Sequence, residues 1–101
     1  MKQFQELDPL LHSQLRLAIV SILVGVVEAD FTFLKEKTGS TAGNLSVQLE
    51  KLSSEGYISI DKSFRNKRPL TTCRITPKGI RQFENYVKVI QEYILPQKSA
   101  I

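Results

Sequence analysis

The sequence predicts a small α+β domain that is mainly α: three helices, a two-stranded hairpin, and one long C-terminal helix. Three observations carry that expectation. Apolar residues recur at helical spacing along most of the chain. The period shortens to alternation only across residues 57–76. Breakers fall between the periodic stretches, at Gly39, Gly56, Pro77 and Pro96. With 101 residues, 42% hydrophobic and 24% charged, the chain has room for one ordinary globular domain, residues 1–101. That composition excludes a disordered tail. The longest apolar run, residues 22–27, is far short of the roughly 20 residues that a membrane span needs. The first residues carry no apolar signal core, and the single cysteine cannot close an internal disulfide; both predict a cytoplasmic protein.

Each element has its own signals. Asp8-Pro9 opens the folded region, since Asp is a good N-cap and Pro is tolerated at the first helical position. Ser13 offers a second start. From there Leu15, Ala18, Ile19, Ile22, Leu23 and Val26 define an apolar face, while Leu17, Val20, Val24 and Val27 lie off it. A helix apolar over so much of its circumference either runs through the middle of the domain or meets a second subunit. Residues 28–31 form a short break with room for one β-bridge. Thr32 is the expected cap of a short second helix, which Gly39 ends in a left-handed conformation. Thr41 caps a third helix over residues 42–55, stopped by Gly56. Two capped helices joined by so short a turn form a helix-turn-helix, about residues 32–55. In the third helix Leu45, Leu49 and Leu52 face inward. Its first two turns otherwise present small and amide side chains with one exposed aliphatic, Val47, a face suited to reaching into something.

Alternation then places Ile58 and Ile60 on one side of a strand, and Cys73 and Ile75 on one side of another. The two form an antiparallel hairpin over about residues 57–76, joined by a polar turn at residues 65–69. Thr76-Pro77 is a cap followed by a proline at the first helical position, and starts a helix over about residues 77–95. Ile80, Phe83, Val87, Ile90 and Ile94 make a stripe along it, with Tyr86, Val89 and Tyr93 alongside.

Charge is unevenly placed. The formal net charge is +4, yet residues 62–81 alone hold seven cations and no acid: Lys62, Arg65, Lys67, Arg68, Arg74, Lys78 and Arg81. Residues 1–61 carry five Lys/Arg against eight Asp/Glu. A basic block beside a mildly acidic remainder is an electrostatic footprint with a direction.

Four stretches resemble a known family. Residues 8–19 (DPLLHSQLRLAI) resemble the first helix of small winged-helix regulators of the MarR and ArsR superfamilies, and residues 29–34 (ADFTFL) resemble the segment that follows it. Residues 41–46 (TAGNLS), followed by Leu49, Leu52 and Glu55-Gly56-Tyr57, look like their recognition helix and its exit. Residues 72–79 (TCRITPKG) look like the return strand and the start of the last helix. The likeness is closest to the minimal form without an effector domain. It implies a winged helix-turn-helix fold, with the helix after the turn in the DNA major groove and the hairpin as a wing on the flanking backbone.

The chemistry of the residues agrees with that implication. Thr41 and Ser46 can donate to phosphate oxygens, and Gly43 allows close backbone approach. Asn44 and Gln48 can pair with adenine, and Val47 can touch a thymine methyl. Lys51 and the wing residues Lys62, Arg65, Asn66, Lys67, Arg68 and Arg74 are expected on the DNA backbone. The recognition helix has no exposed Arg in its first two turns, which points to modest or A·T-leaning selectivity, or to Arg65 or Arg68 in the minor groove. In related regulators the first and last helices build the dimer, so Leu17, Val20, Val24, Tyr86, Val89, Ile90, Tyr93 and Ile94 are the expected interface. A two-fold dimer would set two recognition helices about 34 Å apart on an inverted repeat.

Catalysis has little to work with. The chain has one histidine, His12, and one cysteine, Cys73, and carries no Gly-rich phosphate loop, His-Glu metal motif or cysteine pair. It is therefore not expected to be an enzyme, or to hold a metal or cofactor. His12 reads as a packing residue. Cys73 precedes Arg74, which would favour a redox-sensing thiolate, but alternation turns it toward the core. The expected function is double-stranded DNA binding by a homodimeric transcriptional regulator, with repression by promoter occlusion and an effector left unspecified. The competing expectation is a winged helix used as a protein-interaction module of a larger assembly.

Overall fold

The structure is a computed structural model that describes residues 4–95. Its elements run α1 (Gln14–Val26), β1 (Glu28–Asp30), α2 (Phe31–Thr38), α3 (Ala42–Ser54), β2 (Ile58–Arg65), β3 (Arg68–Ile75) and α4 (Pro77–Ile94). The sheet is antiparallel, in the order β1-β3-β2. The predicted architecture, mainly helical with a two-stranded hairpin, is what is observed.

Helix α1 starts at the second signal. Ser13 has an extended backbone and its side chain accepts from the Arg16 N–H. Asp8 is committed elsewhere: its Oδ1 accepts from Leu10 N at 2.8 Å, its Oδ2 from the Tyr57 hydroxyl at 2.6 Å, and its carbonyl from His12 N at 2.8 Å. One closed turn results, and it does not propagate. Ile19, Val20 and Leu23 of α1 are buried, and the helix runs through the middle of the domain between α2, α3, β3 and α4. Val20, expected off the core face, is thus part of the core.

The break after α1 is a three-residue strand, with Ala29 opposite Cys73. Its last residue is also the cap of α2: Asp30 Oδ1 accepts from Phe33 N at 2.8 Å. Asp30, not Thr32, begins α2, because the extended end of β1 already supplies the backbone that an N-cap needs. Gly39 ends α2 at φ 70°, as the left-handed stop requires. Thr41 Oγ1 then accepts from Asn44 N at 3.1 Å and starts α3.

The core gathers Leu11 and the α1 face with Leu34, Leu45, Leu49, Leu52, Tyr57, Ile58, Cys73, Ile75 and Tyr86. The hairpin leaves it and projects as a wing. Its turn is shorter than the five residues expected. Asn66 and Lys67 form a two-residue loop, both with positive φ (52° and 64°), between the facing pair Arg65 and Arg68. This is the twist-compatible geometry for a tight hairpin. Pro69 therefore belongs to β3, opposite Phe64. The pair next to the closing pair is not hydrogen-bonded, so the missing Pro69 N–H faces the side of β3 that β1 does not reach.

Helix α4 is fastened to the base of the wing. Thr76 caps it: its Oγ1 accepts from Gly79 N at 3.0 Å and lies 2.6 Å from the Gly56 carbonyl oxygen. Thr76 N also donates to the Tyr57 carbonyl at 3.2 Å. One threonine thus ties the entry to β2 and the start of α4 together.

Candidate nucleic-acid interface

Helix α3 sits on the core through Leu45, Leu49 and Leu52. Burying that stripe turns Thr41, Gly43, Asn44, Ser46, Val47 and Lys51 to solvent, with Val47 52% exposed. Six of the seven recognition-helix residues expected on the DNA side are therefore exposed together. Nothing inside the chain requires glycine at position 43: a Cβ there would meet no atom within 4 Å.

Gln48, the seventh, is half-buried and already engaged. Its Oε1 accepts from Arg16 Nη1 at 2.5 Å, and its Nε2 donates to Asn44 Oδ1 at 3.0 Å. Arg16 is held in turn by Nε donation to the Leu10 carbonyl at 2.6 Å. Sequence reasoning missed Arg16. It lies 32 positions from Gln48, and no local pattern links α1 to α3.

The wing separates its charges by face. Alternation puts Lys62, Phe64, Thr71 and Pro69 on one face and Ser63, Arg65, Arg68 and Leu70 on the other. All residues from 61 to 69 are exposed, Phe64 at 76%. Arg65 and Arg68 stand directly opposite each other, a like-charge pair across a ladder that by itself disfavours the hairpin. Arg74 is different. It lies at the base of the wing beside β1, ion-paired with Glu28, so its charge is matched within the chain. Among the described residues that is the one ion pair. Lys62, Arg65, Lys67 and Arg68 form none.

The helices expected to dimerise divide otherwise than the sequence suggests. Val20, Tyr86 and Val89 are 0%, 6% and 2% exposed within the protomer. They are core residues, a correction to the expected interface. Val20 is buried because α1 runs through the core, and the α4 residues because the segment before α1 runs along the Tyr86–Val89–Tyr93 face. Phe4 stacks on Tyr93 with ring centroids 4.7 Å apart, Gln5 Nε2 donates to Glu92 at 2.9 Å, and His12 Nδ1 lies 3.0 Å from the Tyr86 hydroxyl. His12 is itself exposed and meets α4 at that hydroxyl. Leu17, Val24 and Ile90 are half-buried against the core, while Tyr93 and Ile94 are 43% and 69% exposed. Val87, at 38%, joins them on the outer stripe of α4.

Cys73 is fully buried, and burial pushes its thiol up to about 11. Its thiolate is scarce at neutral pH, as for a cysteine packed as a small apolar core residue. The described residues contain no cluster of three or more His, Cys, Asp or Glu able to hold a metal, and no helix long and apolar enough to cross a membrane.

A recognition helix exposed beside a basic wing defines the class: a winged-helix protein with a nucleic-acid-facing surface. The chain matches the winged helix DNA-binding domain family over residues 15–94, and it belongs to that family. It is 38% identical over 76 residues to an uncharacterized protein of Methanocaldococcus jannaschii, covering 75% of this chain and 83% of that one. Its structure is similar to that of a transcriptional regulator homologue from Pyrococcus horikoshii OT3, with a TM-score of 0.79, 25% identity and 84% of each chain covered. It also shares the fold of a mutant MarR from E. coli complexed with operator DNA, with a TM-score of 0.67 and 19% identity over 84% of this chain and 66% of that one. The family is that of winged helix DNA-binding domains, and the fold is one shared with transcriptional regulators.

Proposed function

We propose that this protein binds double-stranded DNA sequence-specifically as a homodimer and represses transcription in the cytoplasm by occluding promoters. The observation that carries the reading is the wing tip. Arg65 and Arg68 face each other, Lys67 sits in the turn between them and Lys62 stands on the wing's other face, and none is paired with an acid. Such a cluster costs stability in the free protein and is neutralised by a phosphate backbone. Thr41, Ser46 and Lys51 add phosphate contacts from α3, while Asn44 and Val47 reach base edges. Asn66 lets the tip approach closely, and Arg74, exposed and paired with Glu28 at the wing's base, adds a further cation for the backbone.

The dimer uses the outer stripe of α4. Ile80, Phe83, Val87, Ile90 and Ile94 follow the alternating three- and four-residue spacing of a coiled-coil seam. Ile80, Phe83 and Ile90 are shared with the core, and Val87 and Ile94 stand out of it. An apolar ridge that stands out of the protomer core supports pairing with a second copy.

The deciding experiment is fluorescence anisotropy on a mixed pool of duplex DNA across a salt series. A steep loss of affinity with salt, equivalent to roughly six to ten released counterions per dimer, is expected. No binding at low salt would overturn the reading and favour a protein-interaction module.

A further inference from the structure

We infer that Arg16, from outside the recognition helix, sets which base the recognition helix reads, by locking the orientation of two successive side-chain amides. The inference rests on the DNA-binding reading above and deepens it. Arginine carries hydrogen-bond donors and no acceptor. The Gln48 atom that meets Arg16 Nη1 must therefore be the carbonyl oxygen, as observed at 2.5 Å. That orientation sends Gln48 Nε2 along the helix to Asn44, one turn away. An amide nitrogen is a donor only, so the Asn44 atom facing it must be Oδ1, as observed at 3.0 Å. Donor polarity passes in two steps from a half-buried guanidinium to an exposed amide.

The outcome is a recognition surface with a sign. Asn44 is exposed, and its Oδ1 is already accepting from within the chain. What it offers outward is its NH₂ group and the second lone pair of Oδ1, and Gln48 keeps one further N–H, so free donors outnumber free acceptors. An adenine edge asks for one donor and one acceptor, whereas a guanine edge presents two acceptors, N7 and O6. A surface with more free donors than free acceptors favours guanine's two acceptors over adenine's donor–acceptor edge. The sequence alone treats Asn44 and Gln48 as independent amides, and the side-chain relay that couples them points to guanine instead. Arg16 is a positioning residue here: it is itself anchored on the Leu10 carbonyl at 2.6 Å and acts through Gln48.

The test is selection of bound duplexes from a random pool by the full chain and by Arg16→Lys, Arg16→Met and Gln48→Leu. Lysine also carries only donors, so Arg16→Lys should keep the same enriched guanine. Arg16→Met and Gln48→Leu should lose that enrichment at least tenfold, while the affinity of Arg16→Met for mixed DNA stays within about threefold. Gln48→Leu keeps the test open if Arg16→Met does not fold. In the DNA-free protein, hydrogen exchange of the Gln48 side-chain amide should be slow in wild type and Arg16→Lys and several-fold faster in Arg16→Met. Enrichment of adenine by wild type, or one unchanged preference in all variants, overturns the inference. If wild type binds no duplex, the proposed function fails and base selection fails with it. A slow Gln48 amide would then show that the side-chain relay itself was read correctly.

Discussion

Gly79, in the first turn of α4, lies directly against the Tyr57 carbonyl at the entry to β2: a Cβ on Gly79 would come within 2.1 Å of that oxygen and 2.9 Å of Ile75 Cδ1. The nearest obstacle is backbone, already fixed by bonds from Thr76, so it cannot swing aside. Gly79→Ala is therefore expected to destabilise the protein by about 3 kcal/mol, despite alanine's higher helix propensity. Urea denaturation measures it, and an unchanged or raised midpoint would contradict the contact.

Gly43 should behave in the opposite way. An added Cβ meets nothing in the chain, and alanine favours a helix interior by about 1 kcal/mol. Gly43→Ala should raise the urea midpoint while weakening DNA binding, if the backbone of α3 approaches the DNA there. Higher stability with unchanged affinity would remove Gly43 from the interface.

At the wing, replacing Arg65 and Arg68 with alanine should weaken binding to all sequences alike and flatten its salt dependence. Each lost phosphate contact should lower the slope by about 1. Stability should hold or rise slightly, because the two like charges face each other. A change in base preference would place an arginine in a groove.

Dimerisation separates the two faces of α4. Wild type is expected to sediment as a dimer at micromolar concentration. Val87→Glu with Ile94→Glu should give a folded monomer, since both side chains stand exposed on the protomer. Tyr86→Ala should instead lower stability by about 3 kcal/mol, the range for a buried aromatic. A monomeric wild type would sink the dimer.

Alkaline pH tests the core. Burial pushes Cys73 up to about 11, and burial together with the hydrogen bond to Asp8 and its charge pushes Tyr57 up to about 12. Both groups hold their protons more tightly when folded, so their stabilisation is complete below the unfolded values near 9 and 10. It is lost as pH rises through 11 and 12. Thermal stability should hold to about pH 8.5 and fall between about 9 and 12. Cys73→Ala should flatten the start of that fall, and Tyr57→Phe its end. A flat profile in wild type would show that neither group is held as described.

What the sequence determined alone was local. Caps at Ser13, Thr41 and Thr76, the left-handed stop at Gly39, the apolar stripe of α3 and the change of period at the hairpin each rest on neighbouring residues. Their order was enough to reach the winged helix. Tertiary structure decided whatever depended on residues far apart in the chain. Asp30 displaced Thr32 as a cap because β1 pairs with β3, more than forty positions away. Tyr86 and Val89 became core because the segment at residues 4–12 lies along α4. Arg74 was matched by Glu28 across the sheet, and Arg16 reached Gln48 across two helices. Periodicity reports which side chains share a face. Only the packed chain determines what that face meets, and which of its hydrogen bonds are already made.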